Sequence, residues 1–424
     1  MKLNTKRTVL VGLAFMSICA FWQVYDGIIP LILKDTFGIG DTLSGVVMAL
    51  DNVLALFLLP VFGALSDRTN TRIGKRMPYI LLGTAAAVAC MLLIPAADRL
   101  YNLPLFMVGL GLVLLAMGSY RSPAVALMPD VTPKPLRSKG NAIINLMGAV
   151  GGILMLGAIA LLVPKGDHPN YFPLFLLTAG VMAVSVVVLF FTVNEPKAAQ
   201  EAAQAGGGEE AEEADAPAGE KLPPAVRRSL LFLLASVFLW FMGSNAVTTS
   251  FSKYAEHVWG MEGGDYAMVL MVAQAAAILA YLPVGAIASR VGRKKTILGG
   301  VFMLAAAFAS AVFFRHFSAL IFFFFALAGV GWAFINVNSY PMVVEMGRGS
   351  DVGKYTGYYY TFSMTAQIVT PILSGAVIEH LGYHLLFPYG ALFVAASFVT
   401  MLFVKHGDNK PEAKRSIEVF DTPD

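Results

Sequence analysis

Apolar stretches of about eighteen or more residues recur along nearly the whole chain, and no other feature limits its fold so strongly. Each is long enough to cross roughly 30 Å of hydrocarbon as a helix, which rises about 1.5 Å per residue. Twelve are read, at about residues 8–33, 41–65, 78–97, 104–128, 138–163, 171–193, 228–252, 265–288, 296–314, 318–342, 355–378 and 385–404. Runs such as VMAVSVVVLFF lack the alternation that a strand of a membrane barrel needs. The expected fold is therefore an all-α membrane protein. Composition agrees, because 57% of residues are apolar and 13% charged, against about 25% charged in soluble domains. Lys2, Lys6 and Arg7 before an apolar run imitate a signal peptide, but the run continues past Asp26 without a cleavage-like break and is read as the first helix.

The 30 Lys and Arg residues set the expected topology. With odd-numbered helices running outward, 24 fall on the side of the N-terminus, five fall on the other side, and Arg121 lies inside a span. Both termini are then cytoplasmic by the positive-inside rule, in a multi-pass protein of the cell (inner) membrane. The same bias accounts for the net charge of +3 and gives no reason to invoke nucleic acid. Cys19 and Cys90 both lie within helices and indicate no disulfide framework. Between the sixth and seventh helices, EPKAAQEAAQAGGGEEAEEADAPAGEKLPP has no apolar stripe to bury. The domain reading is an N-terminal six-helix bundle over 1–193, a flexible cytoplasmic linker over 194–225, a C-terminal bundle over 226–404 and a polar cytoplasmic tail over 405–424.

One loop occurs twice. Gly63-Ala64-Leu65-Ser66-Asp67-Arg68 aligns without gaps to Gly285-Ala286-Ile287-Ala288-Ser289-Arg290, and after four inserted residues Ile73-Gly74-Lys75-Arg76 matches Val291-Gly292-Arg293-Lys294. Both copies fall between the second and third helices of their half, which makes the six-plus-six layout an internal parallel duplication, the kind whose halves rock about a midplane site. The duplicated loop, the layout and the central linker resemble the major facilitator superfamily. Gly63, Ser66-Asp67-Arg68, Arg72, Gly74, Lys75-Arg76 and Pro78 resemble the loop pattern of its sucrose/proton symporter-like branch, related to the glycoside-pentoside-hexuronide cation symporters. That resemblance implies a sugar carrier without cofactor or metal. Physically, Asp67 and the basic set form a candidate cytoplasmic gate, able to pair with one another and with helix-end partial charges. Asp130 and Glu345, at the ends of the fourth and tenth helices, are candidate partners for Arg137, Arg68, Arg290 or Arg348.

Ionisable residues at depth are costly unless paired or watered, so each is a functional candidate. Only Asp26, Asp51 and Arg121 lie well within spans. Two acids facing one guanidinium are not satisfied together; one stays ionised with Arg121 and the other is poised to take a proton, an outline of a proton-coupling site. Around them, Trp22, Gln23, Tyr25, Asn52, Asn141 and Asn145 supply polar and aromatic groups suited to sugar hydroxyls and C–H faces, and the C-terminal half offers Asn245, Gln274, Trp332, Asn336, Asn338, Tyr358 and Gln367. Gly148, Gly151 and Gly152 read as helix packing, since no strand precedes them to make a phosphate loop. No zinc spacing or nucleophile elbow occurs, so no enzyme is expected.

These features are read together as a proton-coupled symporter, working as a monomer, that imports a small glucoside or disaccharide such as sucrose or maltose by alternating access. A sodium-coupled symporter and a proton-coupled antiporter exporting hydrophobic compounds remain as alternatives. A membrane sensor or scaffold would call for a large folded cytoplasmic domain, which the sequence lacks.

Overall fold

The computed structural model describes residues 3–133, 136–166, 168–205, 222–346 and 352–408. These form helices and no strand, in the order α1 (Thr5–Leu31), α2 (Asp41–Arg68), α3 (Met77–Met91), α4 (Leu93–Arg99), α5 (Leu103–Asp130), α6 (Arg137–Leu162), α7 (Phe172–Thr192), α8 (Glu195–Ala205), α9 (Pro224–Trp259), α10 (Tyr266–Val291), α11 (Arg293–Ala311), α12 (Leu320–Val344), α13 (Val352–Leu381) and α14 (Leu386–Leu402). Eleven spans, with α3 and α4 joined as one, are long and apolar enough to cross a membrane, and α10 makes a twelfth. It bends by 55° between Tyr281 and Pro283, where the proline ring removes a main-chain donor.

Local chemistry sets several boundaries. Asn4 and Asn102 cap α1 and α5, their side-chain oxygens accepting from Arg7 N at 3.1 Å and Leu105 N at 3.0 Å, which satisfies donors a helix start leaves free. Gly260, at φ +65°, ends α9 in the left-handed conformation that side chains disfavour.

The two halves use the same helix pairings. In the first, α1 packs on α6 and α7, and α3 on α5; in the second, α9 packs on α13 and α14, and α11 on α12. Between apolar helices in lipid such pairing rests on close packing. A Cβ at Gly151 of α6 would lie 2.5 Å from the Met16 carbonyl oxygen of α1, so this glycine packs helices, in keeping with its reading from the sequence.

The chain divides into two compact units. One holds α1, most of α2, α3 to α8 and Glu262–Met268; the other holds Gly40–Ala49, α9, most of α10 and α11 to α14. The first turns of α2 and the first residues of α10 thus belong to the opposite unit from the rest of their helices. One expectation fails: residues 195–205, assigned to a flexible linker, form α8. Its Ala, Glu, Gln and Lys favour helix, and Ala198 and Ala202, one turn apart, are buried. The remaining linker residues 206–221 and the tail residues 409–424 lie outside the described residues, as does Arg348.

Candidate functional site

In the first unit, α1, α2 and α5 bring the deep charges together. Asp26 and Asp51 lie within electrostatic reach of one another, Asp51 within reach of Arg121, and Tyr25 within reach of both acids. Among the described residues the expected ion pair to Arg121 does not form. Asp51 Oδ1 accepts instead from Asn52, main-chain N at 2.6 Å and Nδ2 at 2.7 Å, while the Arg121 guanidinium sits 5.7 Å from the centroid of the Trp22 ring. A cation over an indole face is attracted by the ring quadrupole. Trp22 also meets Tyr25 edge-on at 5.3 Å, and its buried Nε1 has no hydrogen-bond partner among the described residues. An unpartnered buried donor is costly, and this one belongs to the ring that Arg121 sits over. Gln23, Asn141 and Asn145 are half-buried on α1 and α6.

The second unit groups its own candidates. Asn336 donates to the Tyr281 hydroxyl at 3.3 Å, and Trp332 packs edge-on against Phe241 at 5.4 Å. Asn245 has a buried Nδ2 without a partner among the described residues, and Gln274 is half-buried. Tyr358 is exposed and meets Tyr355 edge-on at 5.9 Å. Two candidates are turned to their own helices: Asn338 is buried and donates to the Phe334 carbonyl at 2.9 Å, and Gln367 donates to the Ser363 carbonyl at 3.5 Å.

At the loop between α2 and α3, Arg76 is the hub. Its Nε donates to Asp130 at 2.7 Å, and its terminal nitrogens bond Asp67 and the Ser66 hydroxyl and reach the Gly63 carbonyl at 3.4 Å. Burial opposes its charge, but the bonds to Asp130 and then Asp67 outweigh that and hold the guanidinium above its ordinary pKa. Lys75 joins Asp130 at 3.2 Å. Asp130 is therefore paired with Arg76 and Lys75; Arg137 and Arg68 are not its partners. Arg137 reaches the Thr132 carbonyl at 3.4 Å, and Arg68, Arg72 and Arg290 are exposed. Glu345 pairs with Arg293, at 2.5 Å, in place of Arg290. Burial raises the Glu345 pKa, opposed by Arg293.

Glu195, which the sequence reading places in the linker over 194–225, is 2% exposed. Its carboxylate accepts from the main-chain N–H groups of Lys75 and Arg76, each at 2.9 Å, and of Met77 at 2.8 Å. It caps α3, an anion on the positive end of a helix. The second copy of the loop repeats the device: Asp408, after α14, accepts from Lys294 N at 2.8 Å at the start of α11. Gly74 and Gly292, matched in the duplicated loop, have φ of +118° and +95°, which lets the chain turn against the capping acid.

The sequence profile described as the Major Facilitator Superfamily matches residues 11–280 and, a second time, 233–423. The chain belongs to the major facilitator superfamily. Among curated members, over 157 residues it is 27% identical to the sucrose transport protein SUC3 of Arabidopsis thaliana, covering 32% of this chain and 26% of that protein. Over 135 residues it is 30% identical to the proton-associated sugar transporter A of Homo sapiens, covering 29% of this chain and 18% of that protein. The matches thus span about a quarter or less of these two relatives. A solved structure of a nucleoside transporter, NupG, superposes with a TM-score of 0.70 over 94% of this chain and 100% of that chain, at 14% identity; that likeness concerns the fold. As a facilitator-superfamily chain this is a multi-pass membrane protein, and its twice-matched profile agrees with the duplicated helix pairings.

This superfamily member holds one further charge cluster that sequence reasoning missed. Asp41, the first residue of α2, and Lys253, on α9, are 2% and 4% exposed and paired at 2.6 Å. The Tyr383 hydroxyl donates to the same carboxylate at 3.1 and 3.0 Å. Asp41 is the first residue of the second hydropathy-defined span and Lys253 lies just beyond the seventh, so neither stands well within a span. Lys253 sits six residues before the end of α9, and at 1.5 Å per residue that places it about 9 Å inside the helix. On the face of the first unit that carries the N-terminus, a cavity of about 250 Å³ lies between α1, α5 and α8, lined by Asn4, Arg7, Thr132 and Glu201; none of the deep candidates lines it.

Proposed function

We propose that this chain is a proton-coupled symporter that imports a small sugar, a glucoside or disaccharide such as sucrose or maltose, by alternating access across the cell's inner membrane, acting as a monomer. The observation that carries the reading is the deep cluster of the first unit, where Asp26 lies within electrostatic reach of Asp51 and Asp51 of Arg121, and Arg121 sits over the ring of Trp22, whose buried indole N–H has no partner among the described residues. A hydroxylated ligand supplies acceptors for Trp22 and Arg121 and donors for a carboxylate, while the indole face covers its C–H surface. A proton on one of two interacting acids removes the charge that Arg121 does not match. Asp51, held by Asn52, is assigned to coupling, and Asp26, beside Trp22, Gln23 and Tyr25, to hydroxyl recognition. The names of the two curated relatives support a sugar as substrate and a proton as its driver. The face bearing the basic loops is assigned to the cytoplasm by its Lys and Arg excess, and Arg76 with Asp67 and Asp130 forms its gate.

Uptake into proteoliposomes, with a proton or a sodium gradient imposed across a panel of sugars, tests the reading. Accumulation of a glucoside or disaccharide under the proton gradient alone is expected. Accumulation under sodium alone would replace the coupling ion, and no sugar uptake under either gradient would remove the substrate class.

A further inference from the structure

Two hollows of the first unit meet at Arg7, on the face that carries the N-terminus and apart from the deep cluster. One is the cavity of about 250 Å³ between α1, α5 and α8. The other, of about 360 Å³, is an open groove between the start of α1, the end of α7 and α8. The wall they share is an ion pair: Arg7 Nη1 donates to Glu201 Oε2 at 2.8 Å, and Nη2 donates to the Val131 carbonyl at 3.2 Å. Lys6 and Lys197 also line the groove; both are exposed, and neither has an ion-pair partner among the described residues. Three cations face one acid there, so the groove carries an excess of positive charge. Its two asparagines add donors. The side-chain oxygen of Asn4 is taken by Arg7 N at 3.1 Å and that of Asn194 by Lys197 N at 3.1 Å, which leaves the Nδ2 group of each to a ligand.

The groove stands where hydrocarbon gives way to water. Its α7 wall is Thr192 and Val193, at the end of a span whose Phe191 is 79% exposed, and α1 contributes Leu10 one turn after Lys6. Asn194 and Lys197 follow on the aqueous side. In a bilayer this is the level of the lipid phosphates, where each Lys or Arg strengthens the attraction of an anionic headgroup about fivefold and basic pockets between spans hold such headgroups. We propose that this groove takes the phosphodiester of an anionic phospholipid, with Lys6 and Lys197 as its cations, the amides of Asn4 and Asn194 as further donors, and the fatty chains along the α1 and α7 walls. An ammonium offers three donors and a phosphodiester only acceptors, so the two are matched. Glu201, turned to Arg7, is the acid that opposes the ligand. Because α8 also carries Glu195, the lipid braces the helix that caps α3. The site stands whatever the solute and the driving ion.

The test uses the full chain, delipidated in detergent, and reads the affinity for the first bound lipid by native mass spectrometry. The probes are dioleoyl phosphatidylglycerol, phosphatidylcholine with the same chains, and inorganic phosphate as competitor. Phosphatidylglycerol should bind on the order of tenfold tighter than phosphatidylcholine, and equimolar phosphate should not displace it. Lys6→Gln and Lys197→Gln should each weaken phosphatidylglycerol about fivefold, and together about twenty-fivefold, while leaving phosphatidylcholine unchanged. Glu201→Gln keeps an acceptor for Arg7 but removes the opposing charge, and should tighten the anionic lipid. Lys405→Gln, at an exposed lysine of the second unit, should bind as the wild type. Equal affinity for the two lipids, an unchanged affinity in the double lysine variant, or a loss in Lys405→Gln as large as in Lys6→Gln overturns the proposal. Displacement by equimolar phosphate overturns the lipid as occupant and assigns the groove to a free anion.

Discussion

Glu195 offers the most direct quantitative test. Its carboxylate takes three main-chain N–H groups at the start of α3, at 2.8 to 2.9 Å, and is 2% exposed. Replacing an ordinary N-cap by alanine costs about 1 kcal/mol and up to about 2, and losing an anion from a partly buried helix N-terminus adds up to about 2. Glu195 is covered, so water replaces it poorly and the freed donors remain unsatisfied. Glu195→Ala should therefore cost about 3 kcal/mol. For a cooperative half of about 200 residues, with an unfolding entropy near 2.1 cal/mol/K per residue, that is a fall of about 7 °C in Tm. Glu195→Gln retains one acceptor oxygen without the charge and should lose about half as much. Asp408 accepts from a single main-chain N–H, so Asp408→Ala should cost about 1 kcal/mol, or about 2 °C. Thermal unfolding of the purified protein in detergent reads all three. A Glu195→Ala protein melting within about 1 °C of wild type would refute the cap, and an Asp408→Ala loss equal to that of Glu195→Ala would refute the reasoning from donor count.

Three further outcomes are expected. Asp51→Asn should abolish uphill sugar accumulation while preserving exchange down a gradient, and Asp26→Asn should weaken sugar binding itself; full accumulation by Asp51→Asn removes it from coupling. Asn336→Ala, losing the bond to Tyr281, should lower sugar affinity about tenfold, at about 1.4 kcal/mol for one bond, without changing the ion dependence of uptake. Burial raises the Glu345 pKa, so the folded protein holds that proton more readily than the unfolded chain, and the residue's contribution to stability declines as pH rises from the ordinary glutamate value through the raised one. Glu345→Gln should flatten the slope of Tm against pH in that interval, and an unchanged slope would remove the cause.

The spans were legible because a bilayer demands length and apolarity at once, and both are properties of sequence windows. The duplicated loop was legible because its glycines and basic residues recur at matching places. Its wiring was not. Asp130 could be offered Arg68 or Arg137 on charge alone, and only the chain path shows that Arg76 turns inward to collect Asp130, Asp67 and Ser66. Glu195 was hidden for a related reason: composition assigns it to the polar stretch that follows, whereas its role comes from Gly74 and the start of α3, about 120 residues earlier in the chain. Asp41 and Lys253 stand at the ends of apolar runs, where hydropathy marks solvent and a partner marks burial. Asp26, Asp51 and Arg121 were legible as a set because charge within a span is rare, but the seat of Arg121 over Trp22 depends on a side-chain path that spacing does not encode.

The twin caps have a consequence for how the polypeptide is made. Helix α3 emerges from the ribosome more than a hundred residues before Glu195, and α11 more than a hundred before Asp408. Until those acids are synthesised, the first turn of each helix must leave its N–H groups to water or to lipid headgroups. Each half of the nascent chain therefore receives its finishing hydrogen bonds from its own trailing residue, just after its sixth span. A release point placed a few codons too early, before Glu195, would yield a half with all its hydrophobic helices and an unsealed end, which gives the insertion and quality-control machinery of the cell a local chemical difference between a finished half and an unfinished one.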